Sequence, residues 1–179
     1  MKKIYVALLV TNLILASSFA QKGKNFIGVG ADLSLPAGVF GDDFRRGAGA
    51  YVKAILGVGE SGAVTFTTGY SAFKEIADYG DDVATTATIV PVLLGYRHNF
   101  NGFFVEPQLG YGIYPYKHNS ADGFYTDTQG AFTLAAGVGY VFNNKIEVSA
   151  RYQTAKRAGY NVGLLGLRLG YNFSLSGSK

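Results

Sequence analysis

The most constraining feature of the sequence is a pair of long alternating segments between Ala87 and Ile113, joined by the polar turn Asn99–Gly102. Every second residue of each segment is a large apolar side chain, a period of two that is typical of β-strands. This apolar face comprises Val90, Val92, Leu94 and Tyr96 in the first arm and Phe103, Val105, Leu109, Tyr111 and Ile113 in the second. Long strands with one continuous apolar face favour a barrel whose outer surface contacts lipid, because a soluble barrel places its apolar face inside.

The same alternation recurs in six further segments, so the sequence predicts eight strands. The other six cover residues 25–35, 47–56, 63–73, 129–142, 146–153 and 161–173. Connections between strands alternate between long and short, and the long ones include the polar loops 37–46, 74–84, 117–127 and 155–160. This pattern predicts an all-β, eight-stranded antiparallel transmembrane up-and-down β-barrel, with long loops outside the cell and tight turns and both chain ends in the periplasm.

The first 20 residues have the pattern of a signal peptide. Lys2 and Lys3 precede an apolar run that ends at Leu15, and small residues lead to a cleavage site after Ala20. The run is shorter than the roughly 20 residues of a spanning helix. We therefore expect a signal peptide at 1–20 and a barrel domain at 21–179. Loss of the two lysines lowers the formal charge from +4 to +2, which gives no electrostatic case for nucleic acid binding.

Six charged residues occupy inward positions of the predicted strands, and their signs balance. They are Asp32, Lys53, Glu106, Glu147, Arg151 and Arg168. Because the interior of an eight-stranded barrel is just wide enough for side chains, we expect these residues to pair and fill the lumen. The alternative is a narrow gated, porin-like pore lined by the same charges.

Aromatic residues gather near the strand ends and predict two girdles at the membrane surfaces. The periplasmic girdle would contain Tyr96, Phe100, Phe103, Tyr140, Phe142, Tyr171 and Phe173, and the outer girdle Tyr70, Phe73, Tyr114, Tyr116, Phe132 and Tyr152. Pro91 and Pro107 lie inside adjacent strands, where neither supplies an N–H group to the sheet. A bulge or a local break is expected at each.

Three motifs were weighed against simpler interpretations. Residues 57–62, GVGESG, are followed by a strand and not by the helix that a dinucleotide site needs, so they predict a flexible turn. His118 and Ser120 resemble part of the catalytic motif of the outer-membrane lipid A deacylase. Because they lie in a predicted polar loop, the sequence favours a protein that is not an enzyme, and a lipid A-modifying activity is the weaker alternative. No cofactor or metal site is predicted. Loop charges at Arg45, Arg46, Lys156 and Arg157 are either lipopolysaccharide contacts or ordinary solvated residues.

The segments VPVLLGYRHNF and FFVEPQLGYG and the ending LRLGYNF resemble the small outer-membrane β-barrel proteins of Gram-negative bacteria, particularly the family common in Bacteroidetes. The resemblance spans residues 25–173, and the architecture is similar to OmpX and the OmpA transmembrane domain. It implies residence in the outer membrane, contact with lipid and lipopolysaccharide, and a structural or surface-interaction role, with external loops available to a ligand. Leu169, Tyr171 and Phe173 match the final strand that the family presents to the barrel-assembly machinery.

Overall fold

The computed structural model describes residues 25–74, 84–120, 123–157 and 159–175, and they form one closed antiparallel barrel. The elements are β1 (Asn25–Ala37), α1 (Val39–Asp43), β2 (Gly47–Val58), β3 (Gly62–Lys74), β4 (Ala84–Phe100), β5 (Phe103–Ser120), β6 (Gly123–Phe142), β7 (Ile146–Arg157) and β8 (Tyr160–Ser174). Each strand pairs with its neighbours in the chain, and β8 pairs with β1 to close the sheet. The predicted eight-stranded up-and-down architecture is confirmed. In the described residues no helix is long and apolar enough to cross a membrane.

The apolar face of the strands lies on the outside of the barrel, as predicted. On β8, Leu167 and Leu169 are exposed, whereas Arg168 between them is buried and points inward. Leu164, earlier in the same strand, is buried as well. Side chains on successive residues of a strand point to opposite faces, so the position of one residue determines the orientation of the rest. The outer wall is therefore the surface that contacts lipid.

One end of the barrel, here called the turn end, carries the tight connections 59–61, 101–102 and 143–145. Asn101 and Gly102 have φ angles of 51° and 96°, and a left-handed pair of this kind closes a two-residue hairpin without splaying the strands. The first of these turns comprises only residues 59–61 of the predicted turn 57–62, because Gly57 and Val58 belong to β2 and Gly62 to β3. Both described chain ends, Asn25 and Leu175, also lie at the turn end, where the backbone N–H of Leu175 donates to the carbonyl of Asn25.

At the opposite end, here called the loop end, several strands are longer than predicted. β5 continues to Ser120 and β6 begins at Gly123, so most of the expected loop 117–127 is a β-hairpin. β7 likewise continues to Arg157, and β8 begins at Tyr160. Apolar alternation stops where the strands leave the lipid, but backbone pairing does not depend on it and continues into water.

The hairpin of β5 and β6 projects beyond the rest of the wall. β6 pairs with β5 from Gly123 onwards, whereas its pairing with β7 starts only at Thr133. Among the described strands, residues 123–132 of β6 pair with β5 and not with β7, and we call this segment the projecting edge. The side chains of Thr126 and Thr128 in it are exposed and polar, which suits a sheet surrounded by water.

The prolines interrupt the sheet locally without shifting its register. Pairing between β3 and β4 lapses at Pro91, and pairing between β4 and β5 lapses at Pro107 and also at Pro115. The register is the same on both sides of each lapse, so the expected local break is present and no bulge occurs. Each proline still pairs on its other side, since the backbone N–H of a strand residue points to only one neighbour.

The aromatic girdle at the turn end is present on the lipid-facing surface of the barrel. The prediction for the second girdle, at the loop end, is partly wrong. The rings of Phe103 and Tyr140 lie 4.8 Å apart, and Tyr171 and Phe173 are separated by the same distance. In the other predicted girdle, however, Phe73 and Tyr114 are 1% and 0% exposed and point into the barrel. Phe73 and Tyr114 occupy those alternate positions of β3 and β5 whose side chains point into the barrel, so they lie in the lumen although they are aromatic. Tyr116 is partly buried against the same interior cluster.

Candidate functional site

Glycine makes room for aromatic rings inside the barrel. The ring of Tyr51 lies against Gly30 and Gly170, and a Cβ atom at either glycine would collide with it. Gly139 leaves the same space for Phe104. Because the interior of an eight-stranded barrel is so narrow, these large rings fit only where the facing position has no side chain.

Four charged residues form a network across the half of the lumen nearer the turn end. Lys53 Nζ lies 3.1 Å from Glu106 Oε2 and 3.2 Å from Glu147 Oε1. Arg97 Nη2 lies 2.6 Å from Glu106 Oε2, and its Nη1 lies 2.9 Å from Glu147 Oε2. Each cation therefore bridges both carboxylates, and this four-residue network connects β2, β4, β5 and β7.

Glu106 is the residue on which this network converges. Its Oε2 atom accepts hydrogen bonds from Lys53 and Arg97, and its Oε1 atom accepts bonds from Thr65 at 3.0 Å and Gln108 at 2.7 Å. A buried carboxylate is stable only when opposite charges and hydrogen-bond donors compensate for the lost water. Glu106 meets both requirements.

A second cluster of charges lies beside the network, on β1, β7 and β8. Arg168 Nε donates to Asp32 Oδ2 at 2.7 Å, and Ser34 Oγ donates to Asp32 Oδ1 at 2.6 Å. Arg151 Nη2 lies 3.8 Å from the same Asp32 Oδ2, which is within ion-pair range and beyond hydrogen-bond distance. Asp32 thus serves two arginines but makes a close contact with only one.

Aromatic rings cover the cations where carboxylates do not. The guanidinium carbon of Arg97 lies 3.7 Å from the centroid of the Phe104 ring, and that of Arg168 lies 4.5 Å from the Tyr51 centroid. Such cation–π contacts are strongest where both groups are removed from water. They complete the packing of the charged half of the lumen.

The half of the lumen nearer the loop end is apolar. α1 places Phe40 and Phe44 inside the mouth of the barrel, where Phe40 lies 5.3 Å from Phe73 and Phe44 lies 5.8 Å from Tyr116, measured between ring centroids. The same cluster contains Ala87, Ile89, Tyr114, Ala131, Ala155, Val162 and Leu164. Residues 37–46 were expected to form a polar loop, so this aromatic plug was not predicted. Its signal is the i, i+4 spacing of the two phenylalanines, which puts them on one side of a helical turn.

Together the two layers close the lumen within the described part of the chain. A vestibule of about 370 Å³ opens at the turn end, between Asn99, Asn144 and Asn172, and has Arg97 among its lining residues. Among the charged side chains lies a cavity of only about 10 Å³. A volume of that size holds about one water molecule, so the lumen has no continuous aqueous path.

All six predicted lumen charges are buried inside the barrel, and the structure adds a seventh, Arg97. Arg97 was not among the predicted lumen charges, although it alternates with the outward residue Tyr96 and this alternation is sufficient to place it inside. With Arg97 the buried charges are four bases and three acids. The six predicted residues do not form a single network, because Asp32, Arg151 and Arg168 make a cluster of their own.

The other predicted positions lie on the outside or at the loop end. Leu169, Tyr171 and Phe173 point outward from β8. His118 and Ser120 belong to the end of β5, so their expected place in a loop is wrong. Lys156 and Arg157 end β7, whereas Arg45 and Arg46 lie between α1 and β2 and are exposed. Most of the predicted polar loop 74–84 lies outside the described residues.

A closed antiparallel barrel with an apolar outer wall and a charged, filled interior defines an integral β-barrel membrane protein. The sequence model of one such family, the outer membrane protein beta-barrel domain, matches residues 6–173. The chain belongs to this family of outer-membrane proteins. None of the curated proteins compared with it matches.

Solved structures show the same fold at low sequence identity. Ail, the attachment invasion locus protein of Yersinia pestis, is 17% identical with a TM-score of 0.65, over 86% of this chain and 100% of Ail. Ail in complex with the heparin analogue sucrose octasulfate gives 18% identity and a TM-score of 0.67 over the same shares. The N-terminal β-barrel domain of Pseudomonas aeruginosa OprF is 16% identical with a TM-score of 0.57, over 85% and 100% of the two chains.

The convergence of donors on Glu106 predicts a large loss of stability in Glu106→Gln. The substitution leaves Lys53 and Arg97 facing a single carboxylate, and breaking a buried ion pair in this way lowers the free energy of unfolding by about 3–5 kcal/mol. Urea titration of the barrel in detergent micelles measures the change. The matched control is Asp43→Asn at an exposed position of α1, for which we expect a change below about 0.5 kcal/mol.

A compensating variant separates charge balance from packing. Adding Arg97→Met to Glu106→Gln restores one cation to one carboxylate in the network, so the double variant should lose less stability than Glu106→Gln alone. Equal losses for Glu106→Gln and Asp43→Asn would show that the network contributes nothing to folding.

Proposed function

We propose that this protein is a surface-interaction protein of the outer membrane, with a filled lumen and no enzymatic activity. The observation that carries the proposal is the closure of the lumen by an ionic layer and an aromatic plug, since it leaves the loop end as the surface available to a partner. In this proposal residues 1–20 direct export, the barrel domain comprises residues 21–179, and the turn end faces the periplasm of a Gram-negative bacterium.

The projecting edge supports an interaction role. An unpaired strand edge presents backbone donors and acceptors, and proteins that have no use for such an edge usually cover or shorten it. Here residues 123–132 extend past the pairing with β7, and the polar side chains of Thr126 and Thr128 in this segment are exposed. A partner that adds a strand to a sheet uses a surface of this kind.

Basic residues at the rim support an anionic saccharide as the ligand. Arg45 and Arg46 are exposed beside the start of β2, and the backbone N–H of Arg45 donates to the carbonyl of Lys74 at 2.9 Å, which brings a third exposed cation next to them. Arginine binds phosphate and sulfate groups through paired N–H donors. The phosphates of lipopolysaccharide are the anionic groups nearest this rim in an outer membrane. The Ail complex with a sulfated sugar supports the same ligand class for this fold.

The closed lumen predicts electrical silence. The mature chain, folded into a planar lipid bilayer, should show no discrete single-channel openings, because the cavity among the described lumen charges holds only about one water molecule. Reduced gel mobility after heating confirms that the inserted protein was folded. Openings whose size or selectivity changes in Glu106→Ala or Arg151→Ala would instead establish a gated pore and contradict the proposal.

The rim predicts charge-dependent binding. In the double variant Arg45→Glu/Arg46→Glu, affinity for heparin and for lipopolysaccharide should fall by about 100-fold, since each lost charge-assisted contact is worth at least a factor of about 10. The opposite change, Asp42→Lys/Asp43→Lys on α1, should strengthen binding. Titration calorimetry with the detergent-solubilised barrel measures both.

The matched control for the rim is Lys145→Glu, an exposed cation in a turn at the opposite end of the barrel. It should leave saccharide binding unchanged. If it weakens binding as much as the rim variant does, the effect is one of net charge and the rim is not the binding surface.

The last strand predicts a specific role in assembly. Phe173 and Phe142 are 52% and 49% exposed on the outer wall at the turn end, but only Phe173 lies in β8. If Leu169, Tyr171 and Phe173 are read by the barrel-assembly machinery, Phe173→Ser should reduce the folded protein in outer membranes several-fold more than Phe142→Ser. Both variants should refold equally in micelles. Equal losses in cells would remove the assembly role.

A further inference from the structure

Arg151 is the buried cation of the lumen with the poorest set of partners. It is 7% exposed, and the nearest carboxylate oxygen, Asp32 Oδ2, lies 3.8 Å from its Nη2 atom and already accepts a 2.7 Å bond from Arg168. Its Nε and Nη1 atoms are buried and have no hydrogen-bond partner among the described residues. A buried guanidinium in this position requires a further acceptor.

The cavity of about 10 Å³ has Arg151 among its eight lining residues, of which three are cations. Lys53, Arg151 and Arg168 contribute to its wall, and Glu106 is the one acid among the lining residues. The two oxygens of Glu106 are already committed to the four-residue network, Thr65 and Gln108. The cavity therefore offers donors and cations and no free acceptor from a carboxylate.

The net charge of the buried lumen residues is also positive. The described buried residues contain four bases and three acids, so one positive charge is not balanced within the barrel. Each carboxylate of the four-residue network is shared by Lys53 and Arg97, which leaves the unbalanced charge on the Arg151 side. An unbalanced charge is costly in a low-dielectric interior, and a bound counter-ion removes that cost.

We propose that this cavity is a binding site for one small monovalent anion of the halide class, chloride in the cell. Arg151 Nε and Nη1 donate to it, and Lys53 and Arg168 supply its electrostatic environment. The small size of the cavity favours a monatomic anion over the larger polyatomic anions phosphate and sulfate. The site is a structural component of the filled lumen and does not depend on the ligand proposed for the rim.

The test is the dependence of thermal stability on the anion. The barrel in neutral detergent micelles is melted in sodium chloride, sodium bromide and sodium gluconate at equal ionic strength, and unfolding is followed by circular dichroism. An anion that binds only the folded state raises its midpoint, so chloride and bromide should raise the wild-type Tm by about 2–4 °C over gluconate. In Arg151→Met the halide effect should disappear, and in gluconate this variant should melt no lower than wild type, because its lumen charges balance.

Arg46→Met, which removes an exposed cation, is the matched control and should keep the halide effect. Equal midpoints in halide and gluconate for the wild type, or an unchanged halide effect in Arg151→Met, would overturn the proposal. Crystals of the wild-type protein grown in bromide provide a second measurement that does not require the variant to fold. Anomalous scattering within hydrogen-bond distance of Arg151 Nε and Nη1 is expected, and ordered water there without an anomalous signal would overturn the site.

Discussion

The whole structure depends on the need to pair every backbone N–H and C=O group inside the sheet. In lipid, each unpaired group costs several kcal/mol, and a strand can satisfy all of its groups only with a neighbour on both sides. The pairing of β1 with β8 meets this condition by removing the edges of the sheet. Closure then fixes the interior at a width that side chains must fill, which brings buried charges into contact. The lapses at Pro91 and Pro107 are tolerated because each affects one side of one strand.

The loss of hydration of the buried charges is compensated in two different ways inside the barrel. In the four-residue network two cations and two carboxylates share all their partners, and Glu106 receives hydrogen bonds at both oxygens. On the Arg151 side the carboxylate of Asp32 is divided between two arginines, and the compensation from the protein is incomplete. The four-residue network is therefore balanced by protein groups alone, whereas on the Arg151 side a small anion completes the charge balance.

The two ends of the barrel are suited to different environments. At the turn end, short connections and an aromatic girdle finish the wall close to the membrane surface. At the loop end, α1 closes the mouth while β5 and β6 continue past the wall. A closed lumen beneath an extended rim places the accessible chemistry on the outer surface, which is why the proposed function concerns binding and not transport.

The sequence by itself determined the number of strands, the face of each strand that meets lipid and the identity of the lumen charges, including Arg97, because alternation of period two depends only on local geometry. Apolar alternation is present only in the part of a strand that contacts lipid. The extensions of β5, β6 and β7 into water were therefore not predicted. Only the tertiary structure decided which charges pair, since Asp32 and Arg168 are 136 positions apart and meet through the closure of β1 on β8. It also decided that α1 folds into the mouth, because its two phenylalanines gain by burial only when a closed barrel offers them an apolar interior.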